Sequence, residues 1–125
     1  MTTAFIGGGN MATALIGGML ARGAAATGFR VVEPFPEARA RLAARFAGIS
    51  LHDACTREAI AGAALIVLAV KPQQMREAAG SLAPHLPLVS APVILSIAAG
   101  IRLPDLARWL AGHPRLVRAI RTARV

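Results

Sequence analysis

Two hydrophobic patterns alternate along this chain: short apolar runs, and longer stretches in which apolar residues recur three or four positions apart. The first pattern predicts strands and the second predicts helices. We expect strands at Thr3–Ile6, Phe29–Glu33, Ile49–Leu51, Leu65–Val70, Val93–Ile97 and Leu116–Ala119. We expect helices at about Asn10–Gly23, Glu37–Phe46, Thr56–Ala61, Gln73–Leu82 and Pro104–Leu110. Regular alternation of strands and helices indicates the α/β class.

The run Leu65–Val70 is uninterrupted and rich in β-branched residues, which suits a strand buried on both faces of a parallel sheet. Six strands joined by helices form two βαβαβ halves, so we expect a Rossmann doubly wound parallel sheet in the order 3-2-1-4-5-6. Ligands of such sheets bind outside the carboxyl ends of the strands. We therefore expect the strand ends at residues 7–11, 33, 70–73 and 98–100 to meet at one crevice.

The first predicted strand leads into Gly7-Gly8-Gly9-Asn10-Met11-Ala12, a Gly-x-Gly-x-x-Ala turn that opens a predicted helix. Gly7 allows a tight turn, Gly9 lets the backbone approach a pyrophosphate, and Ala12 lets the helix pack closely on the strand. The free N–H groups and the dipole at the helix N-terminus stabilise the phosphate charge. The turn predicts a dinucleotide site for NADP or NAD, against the alternative of a simple connecting turn.

Three charged residues fall where such a site would need them. Glu33 lies 24 residues after Gly9, close to the spacing of about 20 at which an acid accepts hydrogen bonds from the adenosine ribose. A carboxylate there favours NADH over NADPH, because a 2′-phosphate would meet like charge. Arg39 could reach that phosphate or lie on a solvated helix face. Lys71 stands at a predicted strand end, where a cofactor contact is favoured over a solvated terminus.

The length of 125 residues indicates one domain, residues 1–125, which we expect to be cytoplasmic because no targeting segment is predicted. The hydrophobic fraction is 55% and the mean hydropathy is +0.56, but alanine and glycine supply much of this apolarity. We expect no membrane-spanning helix, since spanning requires roughly 20 strongly apolar residues, and no signal peptide. The single cysteine, Cys55, rules out an intramolecular disulfide and offers no metal cluster.

A net charge of +8 could indicate a nucleic-acid partner. The chain has no Tyr and one Trp, however, so the aromatic stacking platform of such proteins is missing and we expect no nucleic-acid partner.

His52, His85 and His113 have no metal-site spacing, so we expect no metal and place all three at the surface. No triad and no paired acids are present. The sequence thus offers cofactor binding without a catalytic residue of its own, which is compatible with hydride transfer.

Four segments spread over nearly the whole chain carry a family resemblance: Phe5-Ile6-Gly7-Gly8-Gly9-Asn10-Met11-Ala12, Leu68-Ala69-Val70-Lys71-Pro72-Gln73, Ser96-Ile97-Ala98-Ala99-Gly100-Ile101 and Val117-Arg118-Ala119. In order and spacing they resemble pyrroline-5-carboxylate reductase. The resemblance implies an enzyme of proline biosynthesis that reduces the cyclic C=N bond of 1-pyrroline-5-carboxylate with NADPH or NADH. This chain would be its cofactor-binding part.

The resemblance also implies roles for individual residues. Gly7 to Met11 would hold the pyrophosphate, Val70 and Lys71 would line the cofactor near the ribose and nicotinamide, and Ala99 would border the nicotinamide. Thr56 stands where the family commonly has Asn. The full set of cofactor-binding residues that we predict is Ile6, Gly7, Gly8, Gly9, Asn10, Met11, Glu33, Thr56, Val70, Lys71 and Ala99.

The chain departs from the family at its end, where Ile120-Arg121-Thr122-Ala123-Arg124-Val125 replaces a Pro-Asn-Thr-Pro segment and the helical domain that follows it. That domain would build the substrate pocket and the homo-oligomer, so we expect this chain alone to be inactive and prone to self-association. Two alternatives remain: an NADP-dependent, F420-linked type of oxidoreductase domain, and a non-catalytic nucleotide-binding module.

Overall fold

The first strand, β1 (Thr2–Ile6), lies at the centre of a six-stranded parallel sheet whose order is β3-β2-β1-β4-β5-β6. The structure is a computed structural model that describes residues 1–87 and 91–119. The other strands are β2 (Phe29–Val32), β3 (Ser50–His52), β4 (Ala63–Leu68), β5 (Val93–Ser96) and β6 (Leu116–Arg118). The predicted fold class and strand order are confirmed, and the tail from residue 120 lies outside the described residues.

Helices connect the strands: α1 (Asn10–Ala21), α2 (Pro36–Arg45), α3 (Arg57–Ile60), α4 (Met75–Leu82) and α5 (Leu103–Trp109). A 3-10 turn at Pro72–Gln74 leads into α4, where the sequence predicts one continuous helix from residue 73. None of the helices in the described ranges is long and apolar enough to cross a bilayer.

Alternation along the strands divides the interior into two cores, one on each face of the sheet. Phe5 and Val31 point to the face covered by α1 and α2, where they pack with Ile16 and Leu42. The neighbouring residues of the same strands, including Ile6, point to the opposite core. That core contains α4 and α5 through Met75, Ala79, Leu82 and Leu106. The sheet is therefore covered on both sides, as parallel sheets require.

The apolar run at Leu65–Val70 predicts a strand displaced by two residues from the observed β4, which spans Ala63–Leu68. Its end is set by its neighbour: Leu68 pairs with Ile6, the last residue of β1. The Ala69 N–H still donates to the Ile6 carbonyl at 2.8 Å, but the chain then leaves the sheet. Val70 and Lys71 consequently belong to a loop above the strand.

His113 is buried, so its predicted surface position is wrong. Its Nε2 lies 2.8 Å from the main-chain oxygen of Pro92, and this contact holds the turn before β6 against the start of β5. A histidine beside a proline suggested an exposed loop. Here the long-range pairing of β5 with β6 encloses it.

Candidate dinucleotide-binding site

A cavity of about 600 Å³ opens at the carboxyl edge of the sheet. Its walls come from the β1–α1 turn, the end of β2, the loop after β3, the loop after β4, and α4. Parallel strands bring these distant segments to one edge, which is the place where doubly wound sheets bind ligands. The volume falls within the range of about 300–1,000 Å³ that is typical of small-molecule sites.

The first glycine of the turn ties this edge together. Gly7 has φ +103°, a left-handed conformation that favours glycine. Its N–H donates to the Val32 carbonyl of β2 at 2.8 Å. A Cβ at this position would lie 2.8 Å from the Ala69 carbonyl oxygen. Gly7 is therefore needed for the shape of the turn and for its contact with the end of β4.

The space beside Gly9, the second glycine of the motif, is not filled by other protein atoms. A Cβ built on it meets nothing within 4 Å, and its φ of −83° is ordinary. Gly9 is also the N-cap of α1, and no side chain caps the first turn of the helix. The first amides of a helix lack partners within the helix. An uncapped N-terminus with open space beside it fits a phosphate group.

Ala12, the small residue that closes the motif, is completely buried and packs in the same core as Phe5. Only a small side chain allows α1 to approach β1 this closely. The three positions of the motif thus have three separate roles: Gly7 shapes the turn, Gly9 leaves space, and Ala12 packs the helix.

Glu33 follows β2 directly and is 7% exposed. Its Oε1 accepts a hydrogen bond from the Gly8 N–H at 2.9 Å, and its Oε2 accepts one from the Phe35 N–H at 3.0 Å. An ionised carboxylate has about four lone-pair sites. The two bonds to the main chain therefore leave capacity for two ribose hydroxyls. They also make Glu33 a support for the glycine turn, which the sequence does not predict.

The charges that line the cavity are mostly negative. Glu33, Asp53 and Glu77 contribute carboxylates, and Lys71 contributes an ammonium group. The overall charge of +8 therefore does not describe this crevice. The glycine turn and the helix dipole supply the favourable interaction for a pyrophosphate, while the acidic lining disfavours an additional phosphate.

The structure brings most of the predicted binding residues to the cavity and leaves four outside its lining. Ile6, Gly7, Gly8, Gly9, Glu33, Val70 and Lys71 line it. Asn10 lines a smaller adjacent pocket of about 160 Å³. Met11 and Ala99 are solvent-exposed, and Thr56 caps α3 by accepting from the Ala59 N–H at 3.1 Å. Cofactor contacts of all eleven residues stay predictions.

Several lining residues were not expected from the sequence: Phe35, Asp53, Cys55, Gln74, Glu77 and Ser81. Phe35 is the most informative of them, because its large apolar side chain is 61% exposed at the mouth of the crevice. An exposed aromatic ring in a ligand cleft suits the face of a nucleobase. The Pro34-Phe35-Pro36 turn directly after the predicted strand end could indicate this position from the sequence. Glu77 and Ser81 of α4 line the same cavity as Glu33 only because of the sheet order, which the local sequence of α4 does not indicate.

We expect alkylation of Cys55 to report occupancy of the crevice. Burial raises the pKa of the Cys55 thiol, so at neutral pH the reactive thiolate is scarce and reaction with iodoacetamide is slow. The rate rises as the pH increases toward the raised pKa. A dinucleotide at ten times its Kd should slow labelling about tenfold, because only the free protein reacts.

Mass spectrometry after timed quenching measures this reaction, and the Cys55→Ser variant is the blank because the chain has no other cysteine. Labelling at the same rate with and without a saturating dinucleotide would show that the ligand does not cover the wall formed by the loop after β3.

The glycine turn, the carboxylate after β2 and the doubly wound sheet together define a dinucleotide-binding Rossmann domain. Residues 2–100 match the model of the family described as NADP oxidoreductase, coenzyme F420-dependent, and the chain belongs to that family.

Individual relatives narrow this comparison. A pyrroline-5-carboxylate reductase of Pseudomonas aeruginosa is 46% identical over 114 residues, which cover 91% of this chain and 40% of the relative. A solved pyrroline-5-carboxylate reductase from Coxiella burnetii is 28% identical, superposes with a TM-score of 0.85, and is matched over 94% of this chain and 42% of its own. The chain thus spans about two fifths of the length of such relatives. These matches confirm the resemblance to pyrroline-5-carboxylate reductase that its four motifs carry.

A further solved structure shows the fold with a ligand. The pyrroline carboxylate reductase of Plasmodium falciparum, crystallised with NADP bound, is 20% identical and superposes with a TM-score of 0.74. The match covers 94% of this chain and 41% of that one. At this identity the likeness establishes the shared fold.

Proposed function

We propose that these 125 residues form the cofactor-binding part of a pyrroline-5-carboxylate reductase, an oxidoreductase of proline biosynthesis that acts in the cytoplasm. The observation that carries the proposal is the open Gly9 at the uncapped N-terminus of α1, with Glu33 at the adjacent strand end. These features fit a pyrophosphate and an adenosine ribose, respectively. The identity of 46% to the Pseudomonas aeruginosa reductase supports the choice of reaction.

In this proposal the protein positions NADH or NADPH, whose bound nicotinamide supplies the hydride for the cyclic C=N bond. The amides at the start of α1 bind the pyrophosphate, and Glu33 accepts from the ribose. Phe35 covers the adenine on one side. Val70 and Lys71 border the part of the crevice nearest β4. Holding the hydride donor and acceptor in near-attack geometry can lower the barrier to hydride transfer by roughly 7–11 kcal/mol, which requires that the substrate is bound as well as the cofactor.

The substrate wall is assigned to residues beyond those described, since the relatives are more than twice as long as this chain. The described residues then suffice for binding and not for turnover. We also propose that the exposed apolar side chains of Met11, Leu15 and Val117 favour self-association of the 125 residues, and that the complete protein is a homo-oligomer.

A chimera separates binding from turnover. Calorimetric titration of the 125 residues should detect NADH binding, while their reduction of 1-pyrroline-5-carboxylate stays well below about 1 per second. Fusion to the complementary segment of the Pseudomonas aeruginosa reductase should restore turnover to the ordinary range, about 1–1,000 per second. A folded chimera that binds NADH but does not reduce the substrate would refute the assigned reaction. Absence of binding in both proteins would refute the cofactor site.

The family description favours one second candidate, an oxidoreductase that exchanges a hydride between NADP and coenzyme F420. The same proteins test it, with reduced coenzyme F420 and NADP replacing the imine and NADH. Turnover of reduced coenzyme F420 with NADP, without turnover of the imine with NADH, would favour this candidate. If neither pair reacts in a chimera that binds dinucleotide, a non-catalytic nucleotide-binding module becomes the better description.

A further inference from the structure

Arg39, on α2, makes two contacts with the turn that carries Glu33. Its Nη1 donates to the main-chain oxygen of Glu33 at 2.8 Å and to that of Pro34 at 3.0 Å. The Arg39 side chain is half-buried. A guanidinium group that bridges two successive carbonyls restrains the backbone of the turn between β2 and α2.

The same turn is restrained from the other side by the Glu33 carboxylate. That carboxylate accepts from the Gly8 and Phe35 amides, so both the main chain and the side chain of Glu33 are fixed. Within residues 1–87 and 91–119, the ion pair that the structure contains joins Arg108 to Asp105. Arg39 therefore contacts the carbonyl of Glu33 without forming an ion pair with its carboxylate.

We propose that Arg39 is a positioning residue for cofactor choice, which rests on the proposed dinucleotide function. By holding the carbonyls of Glu33 and Pro34, it keeps the Glu33 carboxylate at the place of the adenosine ribose. The carboxylate then accepts from the ribose hydroxyls of NADH and repels the 2′-phosphate of NADPH. Arg39 acts through Glu33, in contrast to an arginine that binds the 2′-phosphate directly.

Positioning of Glu33 by Arg39 and direct binding of the 2′-phosphate by Arg39 predict opposite changes in one ratio. That ratio is the Kd of NADPH divided by the Kd of NADH. Arg39→Met keeps the length of the side chain and removes its donors. Positioning predicts that the Kd of NADH rises about tenfold while that of NADPH changes less, so the ratio falls. Direct phosphate binding predicts that the Kd of NADPH rises and that of NADH stays constant, so the ratio increases.

The full 125-residue chain is titrated with both nucleotides by calorimetry, and its folding is checked by circular dichroism. Arg39→Lys, which keeps a donor for the carbonyls, should recover most of the NADH affinity. This variant also carries the test if Arg39→Met does not fold: the ratio should then fall in the lysine variant to a smaller extent. Arg108→Met is the matched control, since Arg108 is 71% exposed and does not line the crevice.

A lower NADPH-to-NADH ratio in Arg39→Met, with recovery in Arg39→Lys and no change in Arg108→Met, supports the inference. An increased or unchanged ratio would overturn it. An unchanged ratio with equal loss of affinity for both nucleotides would indicate general destabilisation. Failure of the unmodified chain to bind either nucleotide would overturn the proposed function itself.

Discussion

The Gly9→Val variant is expected to lose at least about a hundredfold in dinucleotide affinity while keeping its fold. A Cβ at Gly9 meets no protein atom within 4 Å, and the backbone there has an ordinary φ of −83°, so valine causes little strain. Its branched side chain instead fills the space beside the uncapped first turn of α1. A pyrophosphate that needs this space can no longer reach the helix amides.

Two further glycines make this experiment interpretable. Gly18 lies within α1, the helix that Gly9 caps, and a Cβ there also meets nothing within 4 Å, so Gly18→Val controls for a glycine-to-valine change at another open position of this segment. Gly7→Val represents the opposite case, because φ +103° and the Ala69 carbonyl at 2.8 Å should cause unfolding. Calorimetry measures affinity and thermal unfolding measures the fold. Equal affinity in Gly9→Val and the unmodified chain would exclude the glycine turn as the phosphate site.

Replacing Glu33 by serine is expected to shift nucleotide preference toward NADPH. The Kd of NADPH divided by the Kd of NADH should fall by tenfold or more, and each factor of ten corresponds to about 1.4 kcal/mol. At an effective dielectric constant near 20, two like charges about 4 Å apart repel by about 4 kcal/mol. Salt and movement of the side chain reduce this value. NADH should also bind more weakly, since the ribose loses an acceptor and the Gly8 and Phe35 amides lose theirs.

Two matched variants divide this effect into its parts. Glu33→Gln removes the charge but keeps an acceptor, so it should retain more of the NADH affinity than serine does. Glu77→Ser removes a carboxylate from the same crevice, but from its α4 wall. A similar shift in Glu77→Ser would attribute the preference to the general acidity of the crevice. A shift of Glu33→Ser toward NADH would show that the acid does not face the ribose.

The sequence predicts the sheet well, because its strands are apolar and are separated by clear turn signals. The Gly-x-Gly-x-x-Ala spacing also predicts the distinct environments of Gly7, Gly9 and Ala12, since each depends on local geometry. The bounds of β4 are less accurate, because its end is set by pairing with Ile6 of β1 and not by its own residues.

The sequence predicts which strands are neighbours, but it does not predict individual side-chain contacts between distant parts of the chain. The bond from the Gly8 amide to Glu33 joins residues 25 positions apart, and it requires β1 and β2 to be neighbours. The burial of His113 likewise depends on the approach of Pro92. Arg39 has two open alternatives in the sequence, a phosphate contact or a solvated face. In the structure it holds two carbonyls, which neither alternative includes.

The walls of the crevice come from segments between residues 6 and 81, joined through the four strands β3, β2, β1 and β4. No short peptide of this chain contains the site, so a ligand there binds the assembled sheet and not its parts. Binding and global folding are thus thermodynamically linked, and a ligand at one hundred times its Kd adds about 2.7 kcal/mol to the free energy of unfolding. In hydrogen exchange, that protection would extend to amides of the central strands far from any ligand atom.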